Sequence, residues 1–383
     1  MADRPFVYIA GAGGIGRALA LLLRNEPRMA AEVVLGDLTQ GAIDDACHFA
    51  NVDVGTDAPE ARGSVVGGDD AALAEVLERA DAILDCLPGA HAPRMARLAR
   101  EHGCHYLNLT EYVAETEEVL AIAEGAPTCF ALQCGLAPGF INILGHDLFQ
   151  TACKRWHVDS VDRLEMRVGA LTRHATEPHF YGWTWSPVGV ATEYVKDAIA
   201  VRGGETVKLP SLTERRTLLL HGMPFEEALT SGGAADLPQA LGGRVRDLDY
   251  KTLRHPGHYG WVEGLLAEIP DGDDRPARLQ DAMEAAIPHV EDDLVVLYAA
   301  VEGKDADGTL RAERSTFFCP SIDVAGRRLR AIQSTTAAGI AEVLRIAMER
   351  GLSGPLLQSQ VPPQDFLEGP FVRLAYVDEQ ARV

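Results

Sequence analysis

Phe6-Val7-Tyr8-Ile9-Ala10-Gly11-Ala12-Gly13-Gly14-Ile15-Gly16-Arg17-Ala18-Leu19-Ala20 is the stretch that decides the fold. An apolar run of β-branched and aromatic residues enters a glycine turn, and an Ala/Leu-rich helical pattern leaves it. The spacing is G-x-G-x-x-G between a strand and a helix. Gly11 permits the tight turn, Gly13 lets the backbone approach a pyrophosphate, and Gly16 lets helix and strand pack closely. The helix's unpaired N–H groups and the positive end of its dipole then face the phosphates. Gly11, Gly13, Gly14, Ile15 and Gly16 are therefore the expected dinucleotide cradle.

Such a turn can also merely pack a strand on a helix, so its surroundings matter. A second apolar strand, Glu32-Val33-Val34-Leu35-Gly36, ends at Asp37, near the offset of an acid that binds the adenosine ribose diol. Leu38, Thr39 and Gln40 follow, with no Arg or Lys to neutralise a 2′-phosphate. NAD is expected rather than NADP.

A chain of 383 residues suits two domains. The formal charge of -21 argues against partners that need basic patches, nucleic acid and anionic membrane among them. No run approaches a membrane span, and the N-terminus lacks a signal-peptide pattern, so the cytoplasm is the expected compartment. Seven scattered cysteines without a C-x-x-C fit buried thiols in a reducing environment, not a zinc site or a disulfide framework.

Beyond the glycine turn, strands and helices alternate as far as strand 128–132. The helices are read at 14–25, 40–50, 70–79, 91–102 and 112–124. This rhythm implies a parallel, doubly wound sheet whose strands end along one ligand-binding edge. Four loops should converge there: Gly11–Gly16, Leu87–His91, Asn108–Tyr112 and Gln133–Gly139. Cys86, Leu87 and Pro88 join the expected cofactor contacts. Past about residue 155 strand-like stretches dominate, at 161–170, 197–208, 244–253, 293–304 and 309–319. Helices are expected near 187–195, 258–268 and 275–286. This second region reads as an α+β domain around an antiparallel sheet. An Ala/Ile/Leu-rich helix, Thr335–Arg350, could bring the tail back to cap the first sheet.

The chain resembles the saccharopine dehydrogenase family nearly end to end, most closely its lysine 6-dehydrogenase-like branch. The resemblance is carried by Gly11–Gly16, Asn108-Leu109-Thr110-Glu111, Cys134-Gly135-Leu136-Ala137-Pro138-Gly139, Thr184-Trp185-Ser186, Thr230-Ser231-Gly232-Gly233 and Leu248–His258, in common order and spacing. It implies a nicotinamide-dependent oxidoreductase acting at a carbon–nitrogen bond. It also implies a Rossmann domain (1–139 and 333–383) and a second α+β domain (140–332) with a mixed, mainly antiparallel sheet that carries homodimer contacts. The chain departs from the family at Arg254-His255-Pro256, where Arg-Tyr-Pro is expected, and in the His174–Trp185 stretch. The implied substrate is an amino acid or amine. The alternatives are a reductase that joins a carbonyl compound to an amine, and a non-catalytic dinucleotide sensor.

Oxidising an amine requires it neutral, so a base must accept a proton. Candidate catalytic residues are His91, after the Leu87-Pro88-Gly89 turn, Glu111, at a strand's carboxyl end, and His258. Candidate substrate-binding residues are Asn142, Trp185 and Arg254, the last as a bidentate clamp for a carboxylate. Each has an ordinary structural rival: a solvated helix start, a helix-dipole charge, or core packing. Lys251 lies an odd number of positions from Arg254, so a strand puts it on the opposite face. His255 and His258 have a metal-like spacing but no further ligand set, and no metal is expected.

Overall fold

The computed structural model describes residues 4–52, 57–66, 70–111 and 113–377. They form two compact units. The first takes the chain up to Phe140, then Ile322–Leu329 and Gln333–Ala375. The second takes Ile141–Ser321, Arg330–Ile332 and the chain from Tyr376.

The first unit opens β1 (Phe6–Ala10), α1 (Gly14–Asn25), β2 (Glu32–Asp37), α2 (Gln40–Ala50), β3 (Arg62–Val65), α3 (Asp70–Leu77), β4 (Ala82–Asp85), α4 (Ala92–His102), β5 (His105–Asn108), α5 (Val113–Ala123) and β6 (Cys129–Ala131). Strand alternation and helix periodicity place Tyr8, Ile83, Tyr106 and Phe130 of the strands against Met95, Ala96, Ala99 and Val119 of the helices in one buried cluster. Tyr112, at the end of one expected loop, lies outside the described residues.

The second unit runs α6 (Phe140–Trp156), β7 (Val161–Thr172), α7 (Pro187–Val195), β8 (Ala198–Arg202), β9 (Glu205–Leu209), β10 (Arg216–Leu220), β11 (Met223–Leu229), α8 (Leu237–Ala240), β12 (Val245–Arg254), α9 (His258–Glu268), α10 (Arg275–Ala286), β13 (Asp293–Lys304) and β14 (Leu310–Pro320). Its main path is β10-β11-β12-β7-β13-β14, with the β8–β9 hairpin attached at β12. Only β12 and β7 pair in parallel; the other pairs in this sheet are antiparallel. The mixed, mainly antiparallel sheet expected of the family is present. One difference from the sequence reading stands out: β10–β11 is an unread hairpin.

The chain then makes β15 (Ile322–Val324), β16 (Arg327–Leu329), α11 (Ala331–Arg350) and β17 (Gly354–Leu356), followed by α12 (Pro363–Leu367) and α13 (Pro370–Ala375). α11 begins four residues earlier than its apolar pattern suggests. The Asp293 carboxylate accepts the N–H groups of Ala331 (2.6 Å) and Ile332 (2.9 Å), a cap supplied from 38 residues away. β17 adds in parallel to β6 and completes a seven-stranded, all-parallel sheet of order β17-β6-β5-β4-β1-β2-β3. Leu132 N–H donates to the Leu356 carbonyl at 3.1 Å, and the buried Gln358 amide donates to the Leu132 carbonyl at 2.6 Å. Among the described residues no helix is long and apolar enough to cross a membrane.

Candidate active site

Within the first unit the strand order reverses between β1 and β4, which is where a doubly wound sheet opens a crevice at its carboxyl edge. The glycine turn sits at that point. Gly11 has φ +101°, and a Cβ there would stand 3.2 Å from the Cys86 carbonyl oxygen. A Cβ on Gly16 would lie 1.9 Å from the Gly11 carbonyl oxygen. Both positions therefore demand glycine for packing alone. Gly13 differs: a Cβ there would meet nothing within 4 Å. Its bare backbone faces open space at the start of α1, whose first turn carries neither an acid nor a capping side chain. Such a helix start and an open approach fit a diphosphate.

Asp37 ends β2 beside this turn. Its Oδ2 accepts the Ala12 N–H at 2.9 Å and its Oδ1 accepts the Leu38 N–H at 2.7 Å. The carboxylate is thus oriented by the turn it would serve. Cys86, Leu87 and Pro88 follow β4 on the same edge, and His91 closes the single turn Gly89–His91 with its side chain exposed. Glu111 follows β5 and is half-buried.

The second unit holds a different kind of site. Arg254, the last residue of β12, is buried under aromatic rings: its guanidinium lies 5.0 Å from the centroid of Tyr181 and 5.5 Å from that of Tyr194. Arg254 Nε donates to the Tyr194 hydroxyl at 2.6 Å and Nη1 to the Leu253 carbonyl at 3.0 Å. His258 Nδ1 lies 2.7 Å from the His179 carbonyl, which can only accept, so Nδ1 carries the proton. Nε2 is then the acceptor for the Tyr194 hydroxyl, 3.0 Å away. The direction of every bond from Arg254 through Tyr194 and His258 to His179 is fixed.

His258 is held from both sides by this geometry. Both ring nitrogens are engaged, the side chain is fully buried, and burial beside the Arg254 charge lowers its pKa to about 3. It positions Tyr194. The residue that sequence reasoning missed is Glu193. Its Oε2 stands 3.9 Å from Arg254 Nη2, too far for a hydrogen bond, and neither atom has a hydrogen-bond partner. Burial pushes the Glu193 carboxyl up to about 7, against the pull of Arg254. The signal was available: Glu193 falls at helical spacing from Gly189 and Val190, on the inward face of α7.

Asn142 is fully buried and donates to the Gly233 carbonyl at 2.9 Å. Trp185 is half-buried, with Nε1 donating to the Tyr181 hydroxyl at 3.2 Å, whereas Trp183 lies wholly in the core. His255 Nε2 bonds the Thr172 carbonyl. Among the described residues no three His, Cys, Asp or Glu side chains cluster as metal ligands would.

A parallel sheet with a bare-backbone glycine turn at its switch point has the architecture of an NAD(P)-binding domain. Residues 7–129 match the saccharopine dehydrogenase NADP binding domain and 135–362 the saccharopine dehydrogenase C-terminal domain. The chain belongs to the saccharopine dehydrogenase family. Among solved structures it is similar to apo saccharopine dehydrogenase (L-Glu forming) from Saccharomyces cerevisiae, with TM-score 0.70 and 16% identity over 95% of this chain and 96% of that one. It is also similar to the homospermidine synthase of Legionella pneumophila in complex with NAD, with TM-score 0.68 and 14% identity over 98% and 90%.

Proposed function

We propose that the protein is an NAD-dependent dehydrogenase that oxidises the carbon–nitrogen bond of an amino acid, in the manner of the lysine 6-dehydrogenase branch. The observation that carries this reading is the pair of unpartnered buried atoms, Arg254 Nη2 and Glu193 Oε2, 3.9 Å apart. An amino-acid head group has an ammonium nitrogen and a carboxylate oxygen at adjacent positions, and it would satisfy both atoms with parallel charge-assisted hydrogen bonds. The bound dinucleotide supplies the hydride acceptor. Arg254, its guanidinium 5.0 Å and 5.5 Å from the ring centroids of Tyr181 and Tyr194, orients the carboxylate. Glu193 pairs through Oε2 with the head-group ammonium, and the C–N bond oxidised is the one at the far end of the side chain, as the lysine 6-dehydrogenase likeness implies. His91 and Glu111 remain candidates for the proton transfers.

Asp37, with no cation in Leu38-Thr39-Gln40, supports NAD over NADP. Equal affinity for the two in parallel calorimetric titrations would reverse that preference. The deciding assay is spectrophotometric: amino acids and polyamines with each oxidised cofactor, then the reverse reaction with paired carbonyl compounds and amines. NADH formation from a free amino acid supports the reading. Cofactor consumption only when a carbonyl and an amine are both present replaces it with the condensing reductase. Gly13→Val should weaken NAD at least about a hundredfold while leaving Tm unchanged, because the added side chain enters the diphosphate's approach and nothing else.

We also propose a homodimer through the second unit. Its sheet has an apolar cluster, with Leu218, Met223, Leu294 and Tyr298 half-buried at the margin. A monomer in sedimentation equilibrium would remove it.

A further inference from the structure

A buried hydrogen-bonded string runs under the ligand edge of the first unit. Asp85 ends β4 and is 3% exposed. Its Oδ1 accepts the Leu87 N–H at 3.0 Å and its Oδ2 accepts the Tyr106 hydroxyl at 2.8 Å. Asn108 Nδ2 donates to the Tyr106 oxygen at 3.4 Å. Asn108 Oδ1 accepts the Gln133 N–H at 2.9 Å, and the Asn108 carbonyl accepts the Cys134 N–H at 2.9 Å. The string joins the loop after β4 to the loop after β6. At its far end Gln133 sits at φ +63°, a conformation that costs a non-glycine residue roughly 1–3 kcal/mol and persists only where its surroundings impose it.

We propose that Asp85 is a positioning residue for the dinucleotide: its carboxylate fixes the Cys86–Pro88 main chain and, through Tyr106 and Asn108, sets the Gln133–Gly139 turn in register with it. The proposal rests on the dinucleotide-binding reading of this unit.

The choice of an acid matters. An ionised carboxylate only accepts, so Tyr106 must point its proton at Asp85 and leave its own oxygen for Asn108. A protonated Asp85 becomes a donor. Tyr106 must then turn its proton to its other acceptor, the Ala92 carbonyl at 3.2 Å, and the string loses its single direction. Burial pushes the Asp85 carboxyl up to about 6, with the Leu87 N–H, the Tyr106 hydroxyl and His91 pulling the other way. Tyr8 on β1, Cys86 and Tyr106 all face this carboxylate, and burial holds each of them neutral. Arg94 and Asp37 act on the neighbouring Tyr8 from α4 and β2, and Cys134 acts on Tyr106. Within this group Asp85 is the buried member whose proton exchanges near pH 6.

The test is NADH binding to the full chain, followed by fluorescence between pH 5 and 8. Wild type should weaken about tenfold on the acid side of an inflection near pH 6, the worth of one charge-assisted hydrogen bond. Asp85→Asn should bind weakly with no inflection. Tyr106→Phe removes one donor to the carboxylate, so its inflection should move to higher pH; it carries the test if Asp85→Asn does not fold. His91→Gln should keep an inflection, moved to somewhat higher pH because the pull of His91 on Asp85 is gone. A flat wild-type curve, an inflection retained in Asp85→Asn, one unmoved in Tyr106→Phe, or one lost in His91→Gln overturns the proposal. No binding at any pH removes the dinucleotide reading and this proposal with it, whereas binding without an inflection removes the proposal alone.

Discussion

Lys251 and Arg254 stand three residues apart on β12 and face opposite sides of one sheet, and both sides bury charge. On the Lys251 side the buried charges stand in close ion pairs. Arg167 pairs with Glu227 (2.6 Å), Asp249 (2.6 Å) and Glu165 (3.2 Å), and Lys251 donates to the Glu214 carbonyl (2.8 Å) and Glu227 (3.3 Å). On the Arg254 side the one ion pair, Arg254 with Glu193, is stretched to 3.9 Å and leaves Nη2 of the one and Oε2 of the other without a hydrogen bond. The first arrangement closes on itself and can only hold strands together. The second is incomplete, and that incompleteness is what suits it to a charged small molecule.

The contrast can be broken by mutation, and the largest effect belongs to the closed side. Arg167→Met leaves Glu165, Glu227 and Asp249 without their shared cation, and three neighbouring carboxylates cannot all be neutral at pH 7. It should cost about 3–5 kcal/mol in chemical denaturation. Arg254→Met should cost less stability, about 1–2 kcal/mol, because Glu193 alone can take up a proton once the cation is gone. Its main effect should be on KM for the amino-acid substrate, raised at least about a hundredfold through loss of a charged hydrogen-bond partner. Equal stability losses for the two variants would erase the distinction between the faces.

The smallest effect concerns pH. The Glu193 pKa in the folded protein, about 7, lies above its ordinary 4.5. The folded chain therefore keeps a proton that the unfolded chain releases between those values, and stability falls as pH rises through that window. Glu193→Gln should flatten this part of the Tm-against-pH curve without moving its acid end. An unchanged slope would mean that Glu193 is not the group responsible.

These two faces also mark where the sequence is readable. The glycine turn, its helix and Asp37 lie within about thirty residues and are built from main chain, so spacing alone carries them. The Arg254 cluster draws on His179, Tyr181, Glu193, Tyr194 and His258, and no local pattern announces which of its hydrogen bonds are satisfied. Hence spacing marks Arg254 and His258 as candidates, while the bonds to Tyr194 and His179 that hold them show only in the fold. The β10–β11 hairpin was missed for a related reason. Pro224 and the pair Glu226-Glu227 read against a strand, yet Glu227 is buried because Arg167 and Lys251, far away in the chain, neutralise it.

One consequence follows from β17. The strand that finishes the parallel sheet leaves the ribosome more than two hundred residues after the strand it pairs with. Until then the outer side of β6 is an unpaired edge, the kind of surface on which nascent chains stick to one another. Chains cut between Arg350 and Gly354 should express chiefly as aggregates, and supplying the missing segment as a separate peptide should bring part of the material back into solution.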